Sequence, residues 1–71
     1  MAFGIRVRDQ RNRLGLSQMD MAERVGLHFT YLSQIERGER NPSLVNILRL
    51  AKSLEIDPAT LVTGIEPPPD V

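Results

Sequence analysis

The fold follows from one segment, residues 18–37, which reads QMDMAERVGLHFTYLSQIER. Ala22 is small, as a residue must be where two helices approach closely. Gly26 follows four residues later, where the chain needs the positive φ that glycine adopts without strain. Leu32 and Ile35 lie three residues apart and form the buried face of a second helix. These residue types at these spacings predict a helix-turn-helix, in which two short helices are joined by a tight turn.

Helical periodicity continues along nearly the whole chain, and no run alternates as a strand does. We therefore predict a compact, all-α, five-helix domain over residues 1–65, followed by a proline-rich C-terminal tail over 66–71. The first helix is expected over about 4–13, the second from an N-cap at Ser17 to a break at Gly26, and the third over about 29–37. The fourth should run from an N-cap at Ser43 through Leu54, and the fifth over 59–62 after Asp57-Pro58. The predicted buried stripe of the fourth helix consists of Leu44, Ile47, Leu48, Ala51 and Leu54.

Length and composition exclude several classes of function. The chain has 71 residues, no cysteine and one histidine, so it has neither a cysteine zinc site nor a polyhistidine metal site. We expect no cofactor and no small-molecule effector in so short a chain. No nucleophile–base pair and no glycine-rich phosphate loop is present, which predicts that the protein is not an enzyme. Without a membrane span or the apolar segment of a signal peptide, a cytoplasmic location is expected.

The net charge of zero hides an asymmetry along the chain. Residues 1–40 hold seven arginines and five acidic residues, whereas residues 41–71 hold two basic and four acidic residues. A polyanion would therefore favour the first half of the chain. Eight of the nine basic residues are arginine, whose planar guanidinium suits two-point contacts with phosphate or guanine. The same composition also fits an ordinary solvated surface.

The helix predicted over 29–37 has a polar face opposite Leu32 and Ile35. That face carries hydroxyl, amide and guanidinium groups, which come from Thr30, Ser33, Gln34 and Arg37. Such groups read base edges in the major groove of DNA, and the N–H groups at the starts of the second and third helices are suited to hold phosphate. A polar outer face is common on surface helices, but its place on the second helix of this motif favours DNA binding.

Longer motifs resemble a known family. They are RNRLGLSQ at residues 11–18 and YLSQIERGERNPSL at residues 31–44, together with Ala22 and Gly26. They are typical of the Cro and phage-repressor (XRE-like) type of helix-turn-helix transcriptional regulators. The similarity is close to small controller proteins of restriction–modification systems and covers about residues 3–62. The resemblance implies a lambda-repressor-like fold and dimers that bind double-stranded operators upstream of genes.

The resemblance also implies roles for individual residues. Arg11 and Glu36 occupy positions that form a structural ion pair between the first helix and the end of the third. Gln18 would contact phosphate and brace the recognition helix. Base edges are assigned to Thr30, Ser33 and Gln34, and phosphates to Arg37, Arg40 and Asn41. The full predicted DNA-binding set is Ser17, Gln18, His28, Phe29, Thr30, Tyr31, Ser33, Gln34, Arg37, Arg40 and Asn41.

Several positions depart from the family pattern or leave alternatives open. His28 stands where Ser, Thr or Asp is frequent, and it caps the third helix weakly, contacts phosphate or is solvated. Phe29 either presses on a thymine methyl group or covers the domain surface. Tyr31 donates to a phosphate or packs beside Leu27, and the resemblance favours the phosphate. Gln10 replaces a frequent apolar residue, so the first helix is expected to pack less completely.

The second half of the chain must account for assembly, because one recognition helix makes too few base contacts for useful specificity. Two-fold dimers place two such helices on half-sites about 34 Å apart. Residues 54–65 contain more apolar side chains than a one-turn helix can bury in its own protomer. We therefore predict a homodimer through the fifth helix, with an interface that consists of Leu54, Ile56, Leu61, Val62 and Ile65.

Two functions of different classes compete. The favoured function is that of a sequence-specific DNA-binding transcriptional regulator, which acts in the cytoplasm at the nucleoid. The alternative is a protein-interaction module of the same fold, an antitoxin or adaptor, and the zero net charge supports it. The two functions differ in whether Gln34 and Arg37 are needed for binding.

Overall fold

Five helices form the described part of the chain. The computed structural model describes residues 2–66, in which no strand occurs. The helices are α1 (Ala2–Arg13), α2 (Gln18–Val25), α3 (Phe29–Glu36), α4 (Leu44–Ser53) and α5 (Pro58–Val62). The prediction of an all-α, five-helix fold is confirmed. Of the tail predicted over 66–71, only Glu66 lies within the described residues. None of the five helices has the length and the apolar character that crossing a bilayer requires.

Local capping explains where the helices begin and end. α2 begins with a capping box, in which the Asp20 N–H donates to the Ser17 hydroxyl at 3.0 Å and the Ser17 N–H donates to the Asp20 carboxylate at 3.2 Å. The backbone hydrogen bond and, after it, the hydroxyl hold the pKa of Asp20 below its ordinary value. Gly26, at φ +78°, ends α2 in the left-handed conformation. At the starts of α4 and α5, the side chains of Ser43 and Asp57 accept hydrogen bonds from backbone N–H groups of the first turn.

One apolar core is shared by all five helices. α1 packs against α3 and α5, α2 packs against α3 and α4, and α4 packs against α5. The buried apolar residues are Val7, Met21, Ala22, Val25, Leu32, Ile35, Leu50, Ala51, Leu54 and Leu61. The core therefore holds α3 from two sides, through α1 and α2, and leaves the remaining face of α3 to the solvent.

The backbones of α1 and α3 approach each other closely at Gly4. Gly4 is buried, and a Cβ atom built there would lie 2.7 Å from the carbonyl oxygen of Glu36 and closer still to that of Ile35. Cβ atoms essentially never approach other heavy atoms to within 3.0 Å. Glycine therefore permits this contact, which also sets where Arg11, two turns further along α1, meets the end of α3.

The buried face of α4 differs from the predicted stripe. The sequence predicts Leu44 and Leu48 in the core, but the structure leaves 70% and 48% of their surfaces exposed. Ala51 and Leu54 are buried as predicted, and Leu50 joins them in the core in place of Leu44 and Leu48. α4 packs against both α2 and α5, and the direction of these two contacts decides which side of the helix is buried. The prediction for Leu44 and Leu48 is therefore wrong.

The same core corrects two residues of the predicted dimer interface. Leu54, at the end of α4, and Leu61, on α5, have no exposed surface, because α5 packs against both α1 and α4. They stabilise the protomer and offer no area to a second copy. Of the other three predicted residues, Ile56 is partly buried against the core, whereas Val62 and Ile65 are exposed.

Two polar side chains of α1 hold the ends of α4 and α5. The Gln10 amide donates to the Leu54 carbonyl at 3.1 Å. The Arg6 guanidinium donates to the carbonyl oxygens of Thr63 at 2.7 Å and Thr60 at 3.3 Å. Helix ends leave such carbonyls without partners in the helix itself. The polar character of Gln10 predicts looser packing of α1. In the structure its amide instead fixes α1 to the end of α4.

Candidate nucleic-acid interface

A buried ion pair connects α1, α2 and α3. Arg11 Nε and Nη2 donate to the two carboxylate oxygens of Glu36 at 2.8 and 2.9 Å, and Gln18 Nε2 donates to the same carboxylate at 3.0 Å. Arg11 Nη1 donates to the Leu16 carbonyl at 2.8 Å. Glu36 is only 4% exposed, and every buried side-chain nitrogen and oxygen in residues 2–66 has a hydrogen-bond partner. The buried charge is therefore compensated, and the end of α3 is fixed to two helices at once.

The polar side of α3 faces away from the core. Leu32 and Ile35 are buried, whereas Thr30 is exposed and Ser33 and Gln34 are partly exposed. The three polar side chains therefore lie on the accessible side of a helix whose other side is held rigidly. A hydroxyl group donates and accepts, and a glutamine amide does both in one plane, so this face has the chemistry that base edges require.

The start of α3 carries an imidazole and an exposed aromatic ring. His28 is the N-cap, because its Nδ1 accepts from the Thr30 N–H at 3.2 Å. With Nδ1 used as the acceptor, Nε2 is the ring nitrogen left for a contact with a ligand. Phe29 is 40% exposed at the first position of the helix, so its ring is accessible beside His28. Of the alternatives for His28, the structure contains the capping contact.

Tyr31 combines packing with a polar contact. Its ring is partly buried against the core, as Leu27 is, and its hydroxyl accepts from Asn46 Nδ2 at 3.3 Å. Because the hydroxyl accepts from Asn46, its own hydrogen stays available to another acceptor. The Arg40 guanidinium carbon lies 5.3 Å from the ring centroid, within the range of a cation–π contact. Sequence reasoning missed Asn46, because a polar residue in the first turn of α4 belongs to no motif.

Arg37 is engaged within the protomer. Its Nε and Nη2 donate to the two carboxylate oxygens of Glu39 at 2.9 and 3.2 Å, and its Nη1 donates to Ser33 Oγ at 3.1 Å. Both charged side chains are more than half exposed. No sequence pattern marks Glu39, because an exposed acidic residue in a loop has no periodicity.

The contacts gather most of the predicted residues on or beside α3. His28 meets Thr30, Arg37 meets Ser33, and the Gln18 amide meets the end of the helix at Glu36. Asn41 is exposed in the link to α4. Ser17 lies apart from this group of contacts, because its hydroxyl and its N–H both serve the capping box of α2. Residues 2–66 contain no group of three carboxylates or imidazoles that could hold a metal ion.

Comparisons with known proteins identify relatives of this fold. The helix-turn-helix family model matches residues 7–61. Control protein C.BamHI of Bacillus amyloliquefaciens is 43% identical over 63 residues, which cover 87% of this chain and 78% of that protein. The crystal structure of the restriction–modification controller protein C.AhdI from Aeromonas hydrophila has a TM-score of 0.82 at 50% identity, covering 84% of this chain and 91% of that chain.

A phage repressor gives a second structural match, and this one is a complex with DNA. The P22 c2 repressor bound to a synthetic operator has a TM-score of 0.83 at 34% identity, covering 92% of this chain and 98% of that chain. The family match extends over more than half of the chain, and its relatives are transcription regulators and not enzymes. The chain therefore belongs to the helix-turn-helix family of DNA-binding transcription regulators of the controller and repressor type.

Proposed function

We propose that this protein is a sequence-specific regulator of transcription that binds double-stranded DNA as a homodimer on a two-fold operator. The observation that carries the proposal is the accessible polar face of α3, held in place by the buried contact of Glu36 with Arg11 and Gln18. A helix fixed in this way suits insertion into the major groove, because the groove admits an α-helix and its base edges offer distinct hydrogen-bond patterns. The cytoplasm, at the nucleoid, is the proposed location.

The proposed contacts divide into base readers and phosphate ligands. Thr30, Ser33 and Gln34 would read base edges from the outer face of α3. The phosphate ligands on or beside α3 would be Gln18, His28, Tyr31, Arg37, Arg40 and Asn41, and Ser17 would add one at the start of α2. Phe29 would press on a thymine methyl group, which its exposure permits. The Tyr31 hydroxyl is suited to its role because Asn46 leaves its hydrogen free to donate.

Exposed apolar side chains support the dimer. Among the large apolar residues that stay accessible, several lie on the adjacent helices α4 and α5 or directly after α5, namely Leu44, Val45, Leu48, Val62 and Ile65. Large apolar side chains that stay exposed on neighbouring helices are candidates for protein–protein contacts. We propose that a two-fold interface covers these residues and places two α3 helices on successive half-sites.

Selection of bound DNA from a random duplex library, at about physiological salt, tests the proposal. The expected result is a two-fold symmetric motif with two half-sites about one helical turn apart. A folded protein that enriches no sequence would overturn sequence-specific binding.

Two substitutions separate base reading from backbone contact. Gln34→Ala should cost about 1–3 kcal/mol on the selected operator and relax sequence choice at one position in each half-site, because an amide that pairs with a base edge is lost. Arg40→Ala should weaken binding to all duplexes alike, because phosphates carry no sequence information. Titration of labelled duplexes by fluorescence anisotropy measures both. A changed sequence preference in Arg40→Ala would contradict the phosphate assignment.

A protein-interaction module of the same fold is the second candidate function. The observation in its favour is that Arg11, Arg24 and Arg37 each pair with a carboxylate of the same chain, in addition to a net charge of zero. Such a module would keep its partner when Gln34 and Arg37 are replaced by alanine, whereas a DNA-binding protein would lose its operator.

A further inference from the structure

Every nitrogen of the Arg37 guanidinium donates a hydrogen bond within the protomer. Two of the three reach both carboxylate oxygens of Glu39, and the third reaches the Ser33 hydroxyl. A two-point arginine–carboxylate contact of this kind fixes the planar group and neutralises its charge. The guanidinium that the proposed function assigns to a DNA phosphate is therefore already occupied by an anionic group of the same chain.

This ion pair differs from its neighbours in the described residues. The other exposed pair, Arg24 with Glu55, is a single contact of 3.8 Å. Arg40, three residues after Arg37, lies over the Tyr31 ring and forms no ion pair within residues 2–66. The link between α3 and α4 thus presents one neutralised arginine beside one that keeps its charge.

The pair affects any phosphate that approaches Arg37. Of the five N–H groups of the guanidinium, Glu39 takes two and Ser33 takes one, so a phosphate that binds the edge formed by Nε and Nη2 must displace the carboxylate. If the pair stays closed, the phosphate instead meets the carboxylate, a like charge. Exposed ion pairs are weak, because solvent screens them. The pair therefore moderates binding to the DNA backbone and does not prevent it.

We propose that Glu39 is an internal competitor of DNA, a positioning residue that holds Arg37 against Ser33 until a phosphate displaces its carboxylate. The inference rests on the proposed function, because it concerns how strongly the chain binds duplex DNA. The contact with Ser33 extends the effect to a predicted base reader, since the Ser33 oxygen accepts from Arg37 and its own hydrogen is left to donate to a base edge.

The test compares the full chain with its Glu39→Gln variant on two probes. One probe is a duplex of about 24 base pairs with mixed sequence, and the other is the operator selected from the random library. Glutamine keeps the size of the side chain but removes the charge that neutralises Arg37. Affinity should rise about twofold to fivefold for each protomer on both duplexes. The slope of log affinity against log salt should steepen by up to about 0.9 for each protomer, because the variant has no displaced carboxylate that takes up a cation and offsets the one released from the phosphate.

Two controls separate this role from simpler ones. Glu55→Gln removes the same charge from another exposed arginine pair, beyond the far end of α4, and should leave the salt slope unchanged. In an Arg37→Ala background, Glu39→Gln should no longer steepen the slope, because the guanidinium that it releases is absent. Thermal unfolding followed by circular dichroism verifies that each variant is folded.

Several outcomes would overturn the inference. They are an unchanged affinity, an equal gain in Glu55→Gln, persistence of the gain without Arg37, or a change confined to the selected operator, which would make Glu39 a base reader. In all of these the wild-type protein still binds duplex DNA. If neither the wild-type protein nor the variant binds either duplex, the proposed function itself fails, and the competitor role fails with it.

Discussion

Glu36 contributes both to the stability of the protein and to the position of the α3 surface that is proposed to contact DNA. Its buried carboxylate accepts from Arg11 and Gln18, so one side chain connects α3 to α1 and α2. A buried charge that loses its partner is not compensated by water. The position of the recognition helix and the folding of the domain therefore depend on the same contact.

Replacing Glu36 with Gln should destabilise the protein by about 3–5 kcal/mol, because the Arg11 guanidinium would stay buried without a counter-charge. Urea denaturation followed by circular dichroism measures the change. Glu55→Gln, which breaks an exposed pair, is the matched control and should cost less than about 1 kcal/mol. If the two variants lost equal stability, the buried pair would have no special role.

The capping box at the start of α2 predicts a pH dependence. The pKa of Asp20 is lowered in the folded protein by the hydrogen bonds from Ser17, so the ionised carboxylate favours the folded state. This stability is fully present above the ordinary pKa of 3.8 and is lost as the pH falls through the lower folded value. Melting temperatures of the wild-type protein and Asp20→Asn should therefore differ at pH 7 and converge in acid. A difference that stays constant with pH would contradict this assignment.

Single residues differ in how far the sequence reveals them. The pairing of Arg11 with Glu36 was predictable, because both lie beside the apolar stripes of their helices and the motifs match a family. Glu39 and Asn46 were not, because their partners depend on the path of the chain between α3 and α4. A polar residue acquires such a role only through neighbours that no local pattern specifies.

For the helices, the residues at which they begin and end were easier to predict than the side of each helix that is buried. Ser17, Gly26, Ser43 and Asp57 mark helix ends by interactions within a few residues, so the sequence contains them directly. The buried face of α4 depends instead on where α2 and α5 pack, which is a tertiary property. For that reason two of the five residues in the predicted apolar stripe of α4, Leu44 and Leu48, are exposed.

At Gly4, the packing of α1 against α3 opposes the usual preference of a helix for alanine over glycine. Alanine in the middle of a helix normally gains about 1 kcal/mol over glycine. At Gly4 the added Cβ atom would meet the backbone of α3, so Gly4→Ala should instead destabilise the protein by about 3 kcal/mol. Thermal unfolding measures the sign. Asn12→Ala, at an exposed position of the same helix, is the control and should change stability by less than about 0.5 kcal/mol. A stabilised Gly4→Ala would mean that α1 and α3 lie further apart.

For the whole molecule, the apolar residues of the core are separate from those of the proposed dimer interface. Leu54 and Leu61 belong wholly to the core, and Val62 and Ile65 remain outside it. The sequence could not divide these four residues, because an apolar side chain in or beside a short helix serves either purpose. Only the packing of α5 between α1 and α4 decides between them.

The proposed dimer predicts that a charge in the exposed apolar surface separates the protomers. Leu48→Glu should shift the protein to monomers at tens of micromolar, because the carboxylate would be buried without a partner in the interface. Sedimentation equilibrium measures the change. Met19→Glu, at a residue of α2 that is 63% exposed, is the control and should leave the assembly unchanged. A wild-type protein that sediments as a monomer at this concentration would contradict the dimer.

The hydrogen bonds of α1 have a consequence for the divergence of such proteins. Arg6 holds the end of α5, and Arg11 on the same helix holds the end of α3. If two copies associate through α4 and α5, α1 couples the geometry of that interface to the position of α3. New base preferences could then evolve by exchanging the outward side chains of α3 alone. A change in the distance between half-sites would instead require coordinated replacements along α1 and α5, so operator sequence should drift faster than operator spacing.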